Sequence, residues 1–460
     1  MNEKNQGGEG ILCATLFLTV STIIVKLLGL FYKIPLAAYL SDEGMGYFNS
    51  AYTVFGFFYL VCTAGVPKAI MLLIGKSRAK GDCQSERALV SVALFAFLIL
   101  GAILAAFLLI FAPSISTLIG NKGAIYTLIA ISPSILFVSV SGVLRGVLSA
   151  DMRFFHISIY GIIEAVSRLV LGLVFAKIAI NNSLSLQMTS AFTVFGVTLG
   201  AAIGLLYLYF AYLFAKKKKK IPRGEIKLGS RRGIIKSILK ISAPITLSAA
   251  IMSASGLIDL SLIMNGLKSS GLSEGAAASL YGNYTTAAVP MFNLAIAIIT
   301  PISVAFMPIF SKKASTSDTL GANEALYDSL MLTNLVGAPI MLGLMAYPEQ
   351  ILSLLFNNID IEIGGALLTL ISPSVFFMSN LLIVNSMLEA QGKYKAPMLA
   401  MLVGCIAKVP ISLLLIRSED FGILGAPVGT VVSYAVALFI SICLLSKMTN
   451  LFSVIKRIFF

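Results

Sequence analysis

The chain has 460 residues, 58% of them hydrophobic and only 12% charged, with a formal net charge of +14. A soluble domain is roughly a quarter charged, so this composition excludes a water-soluble protein and indicates an all-α polytopic membrane protein. The positive balance would mean nucleic acid in a soluble chain; here the charges follow the loops, and no nucleic-acid partner is expected.

Apolar runs of about 20 residues or more, the length that crosses a hydrocarbon core of about 30 Å as helix, recur along the whole chain. Twelve are counted, near 11–32, 46–74, 87–112, 124–150, 156–180, 186–215, 237–264, 276–306, 325–346, 363–390, 396–416 and 423–445. The first is too long for a cleaved signal peptide and reads as a permanent helix. It carries Lys26 at depth and Lys33 at its outer end, and the second carries Lys68 just after Pro67. The fourth holds Pro133 within ISPSILF and Arg145 in its inner third; the fifth holds Glu164 and Arg168, four apart and hence on one face. In the sixth, Gly196, Gly200 and Gly204 recur every four residues, the mark of close helix packing.

A basic block at 216–236 separates an N-terminal six-helix lobe, 1–215, from a C-terminal one, 237–460. The seventh run contains Asp259, the eighth Pro301, the tenth Pro373 within ISPSVFF, and the eleventh Lys408. Of the 34 Lys and Arg residues, 24 fall at the amino terminus, in the even-numbered connections or in the tail, so the positive-inside rule puts both termini in the cytoplasm.

The two halves are one pattern written twice. Tyr47 and Asn49 are echoed by Tyr281 and Asn283, Pro67 by Pro301, Pro133 by Pro373 and Arg168 by Lys408. Each half has an even number of passes, so the copies run parallel, as in transporters that rock two bundles about a central site. Pro67, Pro133, Pro301 and Pro373 are the expected kinks or hinges, with neighbouring serines able to take the carbonyls a proline frees.

Charges at membrane depth are costly and mark function. The first half carries Lys26, Lys33, Lys68, Arg145 and Arg168 against the single carboxylate of Glu164, a balance that suits an anion and disfavours cationic drugs. Arginine grips phosphate bidentately and lysine as a point charge, so a phosphate-bearing substrate is expected. Lys26, Lys33, Lys68 and Arg145 are the expected phosphate contacts, Glu164 and Arg168 a switchable ion pair, and Lys408 a weaker counterpart. Asp259 is a candidate for a coupling cation, H+ or Na+. The fragment IGKS, 74–77, lacks the first glycine of a P-loop, and the lone His156 has no metal-ligand spacing; no ATPase, enzyme, cofactor or metal site is expected.

The segments VKLLGLFYKIPLAAYLSDEGMGYFNSAY, LRGVLSADMRFFHISIYGIIEAVSRL, LIDLSLIMNGLKSSGLSEGAAASLYG and LEAQGKYKAPMLAMLVGCIAKVP together resemble the polysaccharide-type flippases of the MOP superfamily, typified by stage V sporulation protein B and related to the lipid II flippase. That resemblance implies two six-helix lobes in a V that flip an undecaprenyl-pyrophosphate-linked saccharide or peptidoglycan precursor across the cytoplasmic membrane. It also implies that Lys26 and Lys33 occupy the positions of cavity-facing basic residues. Members commonly carry fourteen helices, two more than are counted here. A monomer is expected. The alternatives are a cation-coupled multidrug exporter of the related MATE branch and a non-transporting scaffold for cell-wall or sporulation enzymes.

Overall fold

A computed structural model describes residues 3–79, 83–218, 231–315, 319–356, 358–393, 395–418 and 420–446. Most of the expected linker and the whole basic tail, including Lys456 and Arg457, lie outside them. The described residues are helical almost throughout and contain no strand. In chain order the helices are α1 (Glu3–Thr63), α2 (Val66–Ala79), α3 (Cys83–Ile110), α4 (Ala112–Leu118), α5 (Ile125–Ala150), α6 (Phe154–Asn181), α7 (Leu186–Lys218) and α8 (Arg231–Ser269). They continue as α9 (Glu274–Asn283), α10 (Val289–Ser315), α11 (Thr319–Ala346), α12 (Pro348–Leu355), α13 (Ile361–Ile371), α14 (Pro373–Ala390), α15 (Lys395–Arg417) and α16 (Gly425–Ser446).

Among the described residues, ten stretches are long and apolar enough to span a membrane by length and composition. The first, Val20–Arg78, holds two passes, because α1 doubles back on itself. Tyr32 and Phe48 are sixteen residues apart, about 24 Å along a straight helix, yet their ring centroids are 6.0 Å apart. The reversal is at Ser41, whose backbone turns into the left-handed region at φ 53°, ψ 177°, a conformation rare for a residue with a side chain. By that measure the described residues hold eleven of the twelve spans read from the sequence; the seventh falls in α8, which is not among the ten stretches.

The chain forms two compact units, Met1–Leu40 with Tyr47–Leu257, and Ser41–Gly46 with Ile258–Phe460. In unit 1, α5 packs against α2, α3 and α7, and α6 lies against α7. In unit 2, α14 packs against α10, α11 and α16, and α15 lies against α16. By pass number these are 2·4, 3·4, 4·6 and 5·6 in one unit and 8·10, 9·10, 10·12 and 11·12 in the other, so the internal pairings repeat in the register of the sequence repeat. Large apolar side chains such as Phe95, Ile103, Phe214, Leu335 and Leu414 stand exposed on the helix surfaces, as a lipid-facing surface requires.

The twin proline phrases sit in the central helix of each unit but differ locally. α5 runs unbroken through Pro133, whose missing N–H would have bonded the Ile129 carbonyl; Ser132 Oγ donates to that oxygen instead, at 2.9 Å. In unit 2 the helix is interrupted at Ser372, between α13 and α14, and Pro373 begins the new helix where a proline costs least. Pro67 follows a bend that separates α1 from α2, and Pro301 lies within α10. In unit 2 the turn after Ser41 is fastened by Asp42, whose Oδ2 accepts from Asp360 N at 3.0 Å and Asn283 Nδ2 at 3.3 Å.

The end of α2 carries a feature the sequence did not show. Arg78 donates through Nε and Nη2 to both carboxylate oxygens of Glu86, at 2.9 and 2.6 Å, through Nη2 to Asp151 at 2.5 Å, and through Nη1 to the Ala150 carbonyl at 2.7 Å. One guanidinium thus ties the ends of α2, α3 and α5. Replacing it removes the guanidinium that two mostly buried carboxylates share. Arg78→Ala is expected to cost about 2 kcal/mol, below the 3–5 kcal/mol of a fully buried pair because the Arg78 side chain keeps 30% exposure. Its thermal midpoint in detergent checks this, with Glu86→Gln/Asp151→Asn recovering part of the loss.

Candidate functional site

Unit 1 encloses a cavity of about 560 Å³ between both passes of α1, α5, α6 and the first part of α8. Its polar lining is Ser21, Thr22, Tyr52, Tyr59, Arg145, Ser158, Tyr160, Glu164, Arg168 and Ser253. The second pass of α1 contributes an aromatic ladder at four- and three-residue steps, Phe48, Tyr52, Phe55 and Tyr59, with successive ring centroids 5.8 Å apart. Three of those rings reach the cavity.

The opposite wall is α6. Tyr160, Glu164 and Arg168, at four-residue steps, share the face turned to the cavity. That face is set by the glycine stripe of α7: a Cβ at Gly200 would stand 2.9 Å from Arg168 N, and one at Gly204 would stand 2.8 Å from the Tyr160 ring and 3.3 Å from Glu164 Cβ. Gly196 meets the backbone of Gly172 in the same way. The close packing expected of these glycines is therefore present, and it positions the charged wall.

Arg145 and Arg168 use their guanidinium groups differently. Arg168 donates through Nη1 to the Tyr52 hydroxyl at 2.7 Å. Glu164 is in electrostatic range of both arginines, but no direct ion pair joins it to Arg168 in this conformation, since Arg168 reaches across to Tyr52 instead. Arg145 lies over the Tyr160 ring, 5.6 Å from its centroid, and its Nε and Nη2 are buried without hydrogen-bond partners. These two atoms form the edge by which a guanidinium grips an oxyanion bidentately, the edge that Arg78 uses on Glu86. A buried donor pair left unsatisfied costs free energy, which a bound anion would return.

Of the expected phosphate contacts, only Arg145 lines this cavity. Lys26 and Lys68 have exposed side chains and Lys33 is half-buried; none of the three lines it. The tyrosines were not anticipated. Their signal lay in the spacing of Tyr52 to Tyr59 along one face and of Tyr160 one turn before Glu164.

In unit 2 the expected secondary residues meet each other. Lys408 on α15 is 7% exposed, and its Nζ lies 2.6 Å from Asp259 Oδ2 on α8. Asp259, the candidate for a coupling cation, thus has a lysine as counter-ion here. Asn385, which holds the place of Arg145 in the second repeat, accepts from Ser441 at 3.0 Å and adds no charge.

The family model for the lipid II flippase MurJ matches residues 120–459, well over half of the chain. Stage V sporulation protein B of Bacillus subtilis (strain 168) is 23% identical over 452 residues, spanning 98% of this chain and 86% of that protein. Among solved structures, lipid II flippase MurJ in an inward closed conformation matches with a TM-score of 0.73 at 16% identity, over 96% of this chain and 89% of the other. An inward-facing multidrug resistance MATE family transporter of the MOP superfamily matches with a TM-score of 0.74 at 16% identity, over 96% and 99%. At such identities the structures establish the fold, and the family model establishes kinship: this chain belongs to the lipid II flippase MurJ family, multi-pass membrane flippases and not enzymes.

Proposed function

We propose that this transporter flips a lipid-linked saccharide or peptidoglycan precursor, carried on an anchor of the undecaprenyl-pyrophosphate type, across the cytoplasmic membrane by alternating access. The observation that carries this reading is the free Nε/Nη2 edge of Arg145 in a cavity with two guanidinium groups and one carboxylate. The surplus positive charge attracts an anion. The unpartnered fork matches a phosphate, and the rings of Tyr52, Phe55, Tyr59 and Tyr160 offer flat apolar faces to sugar. Lys26, Lys33 and Lys68 are assigned to guiding the headgroup outside this cavity. Arg168 and Glu164 form the switchable element, with Tyr52 as the alternative partner for Arg168. Pro67, Pro133, Pro301 and Pro373 are the hinges. The charge distribution of the loops supports cytoplasmic termini, and the protein acts as a monomer.

The test is reconstitution into vesicles holding a fluorescent lipid-linked saccharide on one leaflet, with exposure on the other read by a membrane-impermeant quencher. Exposure should accelerate with protein and be competed by the unlabelled pyrophosphate-linked lipid. Equal rates in protein-free vesicles, or competition by a neutral prenyl saccharide alone, would refute the assignment.

A further inference from the structure

Asp259 needs a counter-ion, because a bare carboxylate in a membrane span is costly. A proton, a diffusible cation or a built-in cation can serve. Tyr284 and Tyr434 lie in electrostatic range of Asp259, and the Tyr284 hydroxyl meets Thr430 Oγ1 at 3.4 Å. Ser412, one turn after Lys408 on α15, has a buried Oγ with no partner. α15 brings Lys408 to Asp259 at 2.6 Å. Its stem passes under Gly429 of α16, where a Cβ would stand 3.3 Å from Lys408 Cγ and collide with Ser412 Oγ.

We propose that Lys408 is an internal counter-ion standing in for an exchangeable monovalent cation at Asp259, so that the site in unit 2 takes no Na+ unless the lysine is removed. For Na+ to bind with Lys408 in place, the ammonium would be left buried without an anion. The repeat supports a deliberate difference between the units. At the offset of 234 that relates Tyr47 to Tyr281, Asp259 corresponds to Val25, which lines the unit 1 cavity. The cation of unit 1, Arg168, thus faces no carboxylate at the corresponding place, whereas Lys408 is neutralised. The inference does not depend on which substrate unit 1 takes.

The experiment measures the thermal midpoint of the purified full chain in Na+ against choline at fixed pH and ionic strength. The wild type should show no Na+-specific shift. Lys408→Met should rise by about 1–2 °C at roughly ten times its Kd for Na+, the shift that mass action gives for a bound ligand, and Lys408→Met/Asp259→Asn should lose that rise. If Lys408→Met does not fold, Lys408→Gln, which retains a polar filler, takes its place. A saturable Na+ shift in the wild type that Asp259→Asn abolishes would overturn the proposal. So would lysine-deleted variants that fold and do not respond to Na+.

Discussion

Arg145→Ala is expected to slow flipping of a pyrophosphate-linked saccharide by about 30- to 100-fold while leaving the protein folded. Losing one charge-assisted, bidentate contact costs about 2–3 kcal/mol, at about 1.4 kcal/mol per factor of ten. Stability should change little, because what Arg145 gives up within the protein is the contact over the Tyr160 ring and one hydrogen bond with Tyr59. Its Nε and Nη2 have no internal partners to lose. Arg145→Lys separates charge from geometry. It keeps the positive field but not the fork, so an intermediate loss of about tenfold is expected. Lys122→Ala, at a connection between passes, should leave the rate unchanged. Rates in vesicles and midpoints in detergent together decide the matter: if Arg145→Ala flips at the wild-type rate, the cavity in unit 1 does not hold the phosphate.

The passes, their repeat and their packing seam were legible because each rests on local pattern. Apolar length marks a span, the twin proline phrases mark the register, and the Gly196–Gly200–Gly204 spacing marks a close helix contact. The charged groups were recognised as unusual, but their partners were not. In lipid a helix is apolar on every side, so the 3.6-residue alternation that orients a soluble helix is missing. The sequence therefore gave Lys408 and Asp259 as separate residues, whereas the structure joins them across 149 positions. Arg78 has no spacing that sets it apart from the other basic residues of its connection, yet it holds Glu86 and Asp151. Likewise, Glu164 and Arg168 share a helix face, as their spacing required, but Arg168 donates to Tyr52, 116 positions away. Spacing fixes which residues share a face; it does not fix what that face meets.

Gly200→Leu is the sharpest structural test of the charged wall. At position 200 even a bare Cβ would stand 2.9 Å from the Arg168 backbone nitrogen and 3.2 Å from its Cα, and backbone cannot rotate away as a side chain can. α6 would have to move off α7, carrying Tyr160, Glu164 and Arg168 with it. Overpacking of a close helix seam costs about 3 kcal/mol at the upper end of the usual range, and small residues at such seams are what allow two backbones to approach within a membrane. A fall in thermal midpoint is therefore expected, together with a loss of flipping that persists well below the new midpoint, where the variant is folded. Gly343→Leu on α11 is the matched control, since a Cβ there meets nothing within 4 Å; a helix gains from losing a glycine, so that variant should be neutral or slightly stabilised. Should the two substitutions behave alike, the glycine stripe would not be the element that sets the position of Arg168, and the geometry of the cavity would have to rest on α1 and α5 alone.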